Sequence, residues 1–199
     1  METSLPYRLL ARVCRTAAIA CGWGLLLLSL LTCVEIVGRK LFGFTLHGID
    51  EIGGYAFAVV TAFGFSLTLL RRAHTRVDLV LARLPARAQA LLNVLAVVAI
   101  AGFAIFIAAR AWAVVEESLE FRSVSNSPLQ VPMWLPQGAW FAGLVLFAAT
   151  AVALAVHAVV LWIRDARAVN ARYGPPTVLE EIEGELPRHR SASEHEVTR

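Results

Sequence analysis

The chain has 199 residues, enough for one domain of ordinary size, and 58% of them are hydrophobic and 17% charged. Soluble domains are roughly 45–50% apolar and about 25% charged, so this composition excludes an ordinary soluble globule and predicts an all-α integral membrane protein. The net charge of +3 does not indicate a nucleic-acid partner, because the basic residues are scattered between apolar segments without an aromatic-interleaved patch.

Four apolar runs are each long enough to cross a bilayer as a helix, which takes about 20 residues. The last of them lies in a stretch of 41 residues, 123–163, that lacks Asp, Glu, Lys and Arg. Helices are expected because lipid leaves the edges of an open sheet unsatisfied. The sequence therefore predicts a four-helix transmembrane domain over residues 16–163, with spanning helices at about 16–37, 52–70, 88–115 and 134–163.

The basic residues predict how these helices are oriented. Eleven Arg residues flank one side, in the amino-terminal segment 1–15, the second connection and the beginning of the tail, and three basic residues lie in the first and third connections. Because positively charged flanks stay in the cytoplasm, both termini are predicted to be cytoplasmic. The tail, residues 164–199, changes abruptly to a charged composition and is predicted to be disordered.

Two charged residues lie near the predicted outer ends of spanning helices, Glu35 in the first and Arg110 in the third. A charge at membrane depth is costly unless it reaches the headgroups or finds a partner. Four arrangements remain open: both side chains reach the headgroups, Glu35 pairs with Arg110, Glu35 pairs with Arg39 one turn later, or the charges face a partner subunit.

The second helix carries small residues at every fourth position, Gly54, Ala58, Ala62 and Ser66. This spacing keeps them on one face, where they allow the backbone of another helix to approach closely. We predict that this face packs against a helix of this chain or of a partner.

The second connection, residues 71–87, has aliphatic residues at helical spacing and Arg residues on the other faces. Such an amphipathic segment can lie in the cytoplasmic interface against anionic lipid headgroups. We predict this interfacial segment between the second and third helices, with His74, Arg76 and Asp78 as its candidate residues; an ordinary positively charged loop is the alternative.

The third connection, between Glu120 and Trp134, is predicted to be an ordered, non-helical outer loop. Pro128 and Pro132 remove backbone donors, and the serines around them favour turns. Trp134 lies at the depth where an aromatic residue anchors a helix in the membrane interface.

The chemistry that an enzyme needs is missing from the sequence. His157 is the one histidine within an apolar run, whereas a di-haem cytochrome needs paired axial histidines, and no His, Cys and carboxylate cluster has metal-ligand spacing. We therefore predict no catalytic residue, cofactor or metal. A four-helix redox protein using His157, or a stand-alone small transporter or channel, is kept as the alternative.

Four motifs in this four-helix setting carry a family resemblance, and each is weak alone. They are Val34–Phe42 at the end of the first helix, Asp50–Tyr55 at the start of the second, His74–Leu79 after it, and Ser127–Leu129 followed by Pro132–Trp134. In this order they resemble the small membrane subunit of tripartite ATP-independent periplasmic (TRAP) transporters, the DctQ-like family, over residues 18–160.

The resemblance implies a transport function. In such systems a periplasmic binding protein delivers an organic acid to a large permease subunit of the bacterial inner membrane, which imports it with sodium, and the small subunit braces that permease. The solute and ion sites would then lie in the large subunit. For the outer contacts with these partners, the candidate residues are Asp50, Glu51, Pro128, Pro132 and Trp134. The solute itself is not indicated.

Overall fold

The computed structural model describes residues 5–43, 48–71 and 84–174. Its helices are α1 (Leu5–Phe42), α2 (Ile49–Leu70), α3 (Ala86–Glu120), α4 (Trp134–Arg164) and α5 (Ala166–Tyr173). The first four are each long and apolar enough to span a membrane, which confirms the prediction of an all-α protein with four such helices. The part of the chain that is described has no β-strand beyond one isolated bridge between Val124 and Pro132.

Every predicted span lies inside an observed helix, but several helices extend beyond it. The largest difference is at α1, which begins at Leu5 rather than near residue 16. Hydropathy marks the part of a helix that lipid surrounds, whereas the first turns of α1 carry three arginines; they stay helical because Arg, Leu and Ala are good helix formers. The helix ends at Phe42, and Gly43 follows with a φ of 63°.

The predicted disorder of the tail is wrong for α5, Ala166–Tyr173. Val169 is completely buried and Tyr173 is 5% exposed. Because these two residues lie four apart, they share one face, whose burial stabilises a helix too short to persist alone. The tail beyond Gly174 lies outside the described residues.

The chain divides into two compact units, of which the first comprises residues 1–74 and 95–157. Its hydrophobic core joins α2, α3 and α4 through Ala62, Ala111 and Leu144, with Ile107, Trp140 and Phe141 packed against them. Two aromatic pairs extend these contacts, Phe65 with Phe147 at 5.5 Å and Trp112 with Phe141 at 5.3 Å between ring centroids.

The helix α1 is the most exposed of the four. None of the 18 residues in its most apolar stretch is buried, whereas 33% of the residues are buried in the corresponding stretches of α3 and α4. Cys14 is an exception, since it is fully buried and its Sγ lies 3.6 Å from the Thr150 hydroxyl of α4.

The second unit comprises residues 75–94 and 158–199. Its described part holds the first residues of α3, the last residues of α4, and α5. Asn170 of α5 connects two points of α3: its Nδ2 donates to the Ala86 carbonyl oxygen at 2.8 Å, and its Oδ1 accepts from Asn93 Nδ2 at 3.2 Å. Asn93 is 4% exposed, so its amide depends on this bond.

Candidate partner-binding surfaces

The small-residue face of α2 is divided between two environments. Ala62 and Ser66 are buried, whereas Gly54 and Ala58 are exposed. Gly143 of α4 lies so close to Ala62 that a Cβ built on it would be 2.8 Å from the Ala62 Cβ. The second half of this face therefore packs inside the chain, as small residues allow, and the first half stays open.

Glu35 is 8% exposed, and its carboxylate Oε1 lies 3.7 Å from an Arg39 guanidinium nitrogen. Of the arrangements that the sequence left open for Glu35, the structure contains the pair with Arg39, one turn later in α1. The direct pair between Glu35 and Arg110 is not formed, because the carboxylate already faces Arg39 on its own helix. Arg110 is exposed and makes no salt bridge with any other described residue.

The outer loop, residues 121–133, is ordered and non-helical, as predicted between Glu120 and Trp134. Its two arms face each other: the backbone nitrogen of Ser125 donates to the Val131 carbonyl at 3.0 Å, and that of Met133 donates to the Ser123 carbonyl at 2.9 Å. The loop is thus a fixed surface rather than a flexible tether, because its backbone polar groups have partners.

The exposed side of this loop carries the predicted contact residues. Pro128 and Pro132 are exposed, and Trp134, the first residue of α4, is 45% exposed. Asp50 is exposed at the start of α2, where a carboxylate also interacts favourably with the helix dipole.

Glu51 is half-buried and ties α2 to the outer loop. The Tyr55 hydroxyl donates to its Oε1 and lies 3.4 Å from the Met133 Sδ. Ser125 and Ser127 of the loop approach the same carboxylate. The sequence analysis did not identify Tyr55 and these serines as partners of Glu51; the spacing of four between Glu51 and Tyr55 was the available signal.

A second contact holds the outer loop on α2. Gly48 precedes α2 with a φ of 91°, and a Cβ there would overlap Leu129 Cδ1. Only glycine combines that backbone conformation with so close an approach. The start of α2 and the tip of the loop therefore form one surface.

Two apolar grooves run along the first unit. One, of about 530 Å³, lies between α1 and α2 and includes Gly24, Leu28 and Val59. The other, of about 560 Å³, lies between α3 and α4 and includes Ala108 and Ala148. No charged side chain lines either groove, so each is suited to apolar contact and not to the coordination of an ion.

His157 and the predicted interfacial segment are the remaining candidates. His157 is half-buried in α4, and within the described ranges no three His, Cys, Asp or Glu side chains come together as metal ligands. His74, Arg76 and Asp78, with the predicted interfacial segment, lie outside the described residues.

Comparison of the sequence with protein families finds a match that covers most of the chain. Residues 28–163 match the model described as "Tripartite ATP-independent periplasmic transporters, DctQ component". The match extends from α1 through α4 and includes both the small-residue face and the outer loop. No curated protein matches the chain.

Proposed function

The chain belongs to the DctQ family of TRAP transporter components, and from this membership we propose that it is the small membrane subunit that braces a large permease. In this proposal the permease moves an organic acid with sodium, and a periplasmic binding protein delivers the solute. The protein is a multi-pass membrane protein; we propose the bacterial inner membrane, with both termini in the cytoplasm.

The observation that carries the proposal is the amount of apolar helix surface that this chain leaves uncovered. The most apolar window of α1 has no buried residue, and side chains such as Trp23, Leu27 and Val34 are more than half exposed. Helix association in membranes depends on packing area and small residues. A chain with such surfaces is suited to support a larger helical partner.

The residues that line the grooves support a bracing role rather than a transport role. Transporters place polar groups and broken helices at the membrane midplane, whereas α1–α4 are continuous and the grooves between them are apolar. We therefore assign the solute and ion sites to the permease.

Interactions outside the membrane are assigned to the outer loop and the start of α2. Asp50 and Glu51 lie beside a loop whose exposed residues include Pro128 and Trp134. This surface is fixed by hydrogen bonds and combines carboxylates with apolar groups, which suits transient docking of a soluble carrier.

Co-purification tests the proposal. The tagged full-length chain is expressed with the large permease of its system and isolated in mild detergent, with an unrelated four-helix membrane protein carrying the same tag as the control. We expect the permease to be retained by this chain and not by the control. The proposal fails if the chain is isolated without the permease, or if the chain alone in liposomes transports solute.

A further inference from the structure

One face of α3 is exposed over most of its length and carries a single cation. Phe103 and Phe106 are 60% and 61% exposed, Val114 is 42% exposed, and Arg110 and Glu117 are exposed as well. Their spacing of three and four residues places all five on one side of the helix. We call this side the Arg110 face.

The core of the first unit lies on another side of α3. Ala104, Ala111 and Val115 are buried at 0%, 1% and 5% exposure. Because their positions are rotated by 100° or more from Arg110 at 100° per residue, the Arg110 face points away from this core.

The neighbours of Arg110 place it within the apolar part of α3 rather than at the end of the helix. The next residue, Ala111, packs in one core cluster with Ala62 and Leu144. Ala62 is twelve residues along α2 from Asp50, or about 18 Å at 1.5 Å per residue. On α3 itself, five apolar residues separate Arg110 from the first carboxylate, Glu116.

The direction of α3 determines how the side chain of Arg110 leaves the helix. The closer end of the helix is its carboxyl end, which leads into the outer loop. Side chains in an α-helix lean towards the amino terminus. The Cα–Cβ bond of Arg110 is therefore directed towards Phe106 and the apolar part of α3.

No carboxylate of the described residues pairs with Arg110. Glu35, the acidic residue at membrane depth in α1, faces Arg39. Glu117 follows Arg110 by seven residues, about 10 Å along the axis, and forms no salt bridge with it. Among the described residues, Arg110 has no ion-pair partner.

From these observations we propose that the Arg110 face docks against a membrane helix of the large permease, and that this helix presents an Asp or Glu side chain opposite Arg110. The inference rests on the proposed function, since the permease is the partner. An arginine on an apolar helix face faces the interior of a helix assembly and is stabilised by a carboxylate at its own depth, and the flanking Phe103, Phe106 and Val114 supply the apolar contact on both sides of the pair.

The test compares three variants of the full chain, co-expressed with the permease and isolated in mild detergent. We expect Arg110→Gln to lower the amount of permease retained per chain by roughly tenfold, the effect of losing one interhelical polar contact, and Arg110→Lys to keep part of it. The control is Arg87→Gln, which removes an exposed arginine near the other end of the same helix and is expected to retain the permease fully.

Three results would overturn the inference or redirect it. If wild type retains no permease, the proposed function fails. If wild type and Arg110→Gln retain it equally, the docking face is refuted while the function stands. The third result concerns lipid: wild type is more thermally stable in phosphatidylglycerol nanodiscs than in phosphatidylcholine nanodiscs, and Arg110→Gln loses this difference but still retains the permease. In that case Arg110 binds a lipid phosphate, and the inference is wrong.

A charge exchange identifies the partner residue. Arg110→Glu is combined in turn with Asp→Arg or Glu→Arg at each acidic position in the membrane helices of the permease. We expect one combination to restore retention. A photoreactive phenylalanine analogue at position 106 is expected to cross-link to the same permease helix, whereas the analogue at the buried position of Phe147 is expected not to. Failure of every combination refutes the pair.

Discussion

Replacing Gly143 by alanine tests the close approach of α2 and α4. The added Cβ would lie 2.8 Å from the Ala62 Cβ, 3.0 Å from the Phe63 backbone nitrogen and 3.1 Å from the Ala62 carbonyl carbon. Two of these three neighbours are backbone atoms. They can give way only if α2 itself moves, so the strain cannot be relieved by a change of rotamer.

The magnitude follows from two opposing effects. Overpacking of a close contact costs about 1–3 kcal/mol, and the replacement of glycine by alanine within a helix stabilises it by roughly 0.5–1 kcal/mol. Gly138 provides the matched control, since it lies in the same helix and its added Cβ meets nothing within 4 Å. The difference between the two variants therefore isolates the packing cost at about 1–3 kcal/mol.

Reversible unfolding in mixed detergent and SDS micelles, followed by tryptophan fluorescence, measures this difference. We expect Gly143→Ala to unfold at a lower SDS fraction than Gly138→Ala. Adding Ala62→Gly is expected to recover part of the loss, because it removes the nearest contact but leaves the Phe63 nitrogen in place. Equal free energies of unfolding for Gly143→Ala and Gly138→Ala would show that the two helices are not in close contact.

Three further substitutions test the outer loop and the tail helix. Glu51→Ala removes the acceptor of the Tyr55 hydroxyl, and we expect amide hydrogen exchange in the outer loop to become about tenfold faster. Asp50→Ala is the control, and an equal effect of the two variants would show that Glu51 does not hold the loop on α2. Asn170→Ala breaks both hydrogen bonds between α5 and α3, so we expect the amides of α5 to lose protection from hydrogen exchange. The control is Ala171→Ser at an exposed position of α5, which is expected to keep that protection. Unchanged exchange in Asn170→Ala would show that these bonds do not hold α5 on α3. Gly48→Ala gives alanine a positive φ and places its Cβ against Leu129, so we expect the free energy of unfolding in the same SDS assay to fall by about 1–2 kcal/mol. An unchanged free energy of unfolding would show that this position is not strained.

The four spanning helices were predictable because the signal for them is local. An uninterrupted apolar run of about 20 residues has few alternatives to a helix in lipid, and the four predicted spans all lie within observed helices. The family was predictable for a related reason, since its motifs lie at the ends of these helices in a set order, and residues 28–163 match the family.

The helix ends were less predictable because hydropathy reports the surrounding solvent and not the backbone. Leu5, the first residue of α1, begins a segment that carries three arginines, and its one proline, Pro6, lies in the first turn, where a helix tolerates it. The tail helix α5 was missed because its sequence is polar on average, and only the burial of Val169 and Tyr173 makes it stable.

The sequence by itself determined the number of spanning helices, the family and the residue types available for contact, because each of these depends on composition and order along the chain. Only the tertiary structure decided which of those residues already pack against other residues of this chain. It brought Gly143 against Ala62 and thereby used one half of the small-residue face, and it left Arg110 exposed on the side away from the core. The physical reason is that a side chain's partner depends on the rotation and offset of neighbouring helices, and many such arrangements satisfy the same pattern of apolar residues.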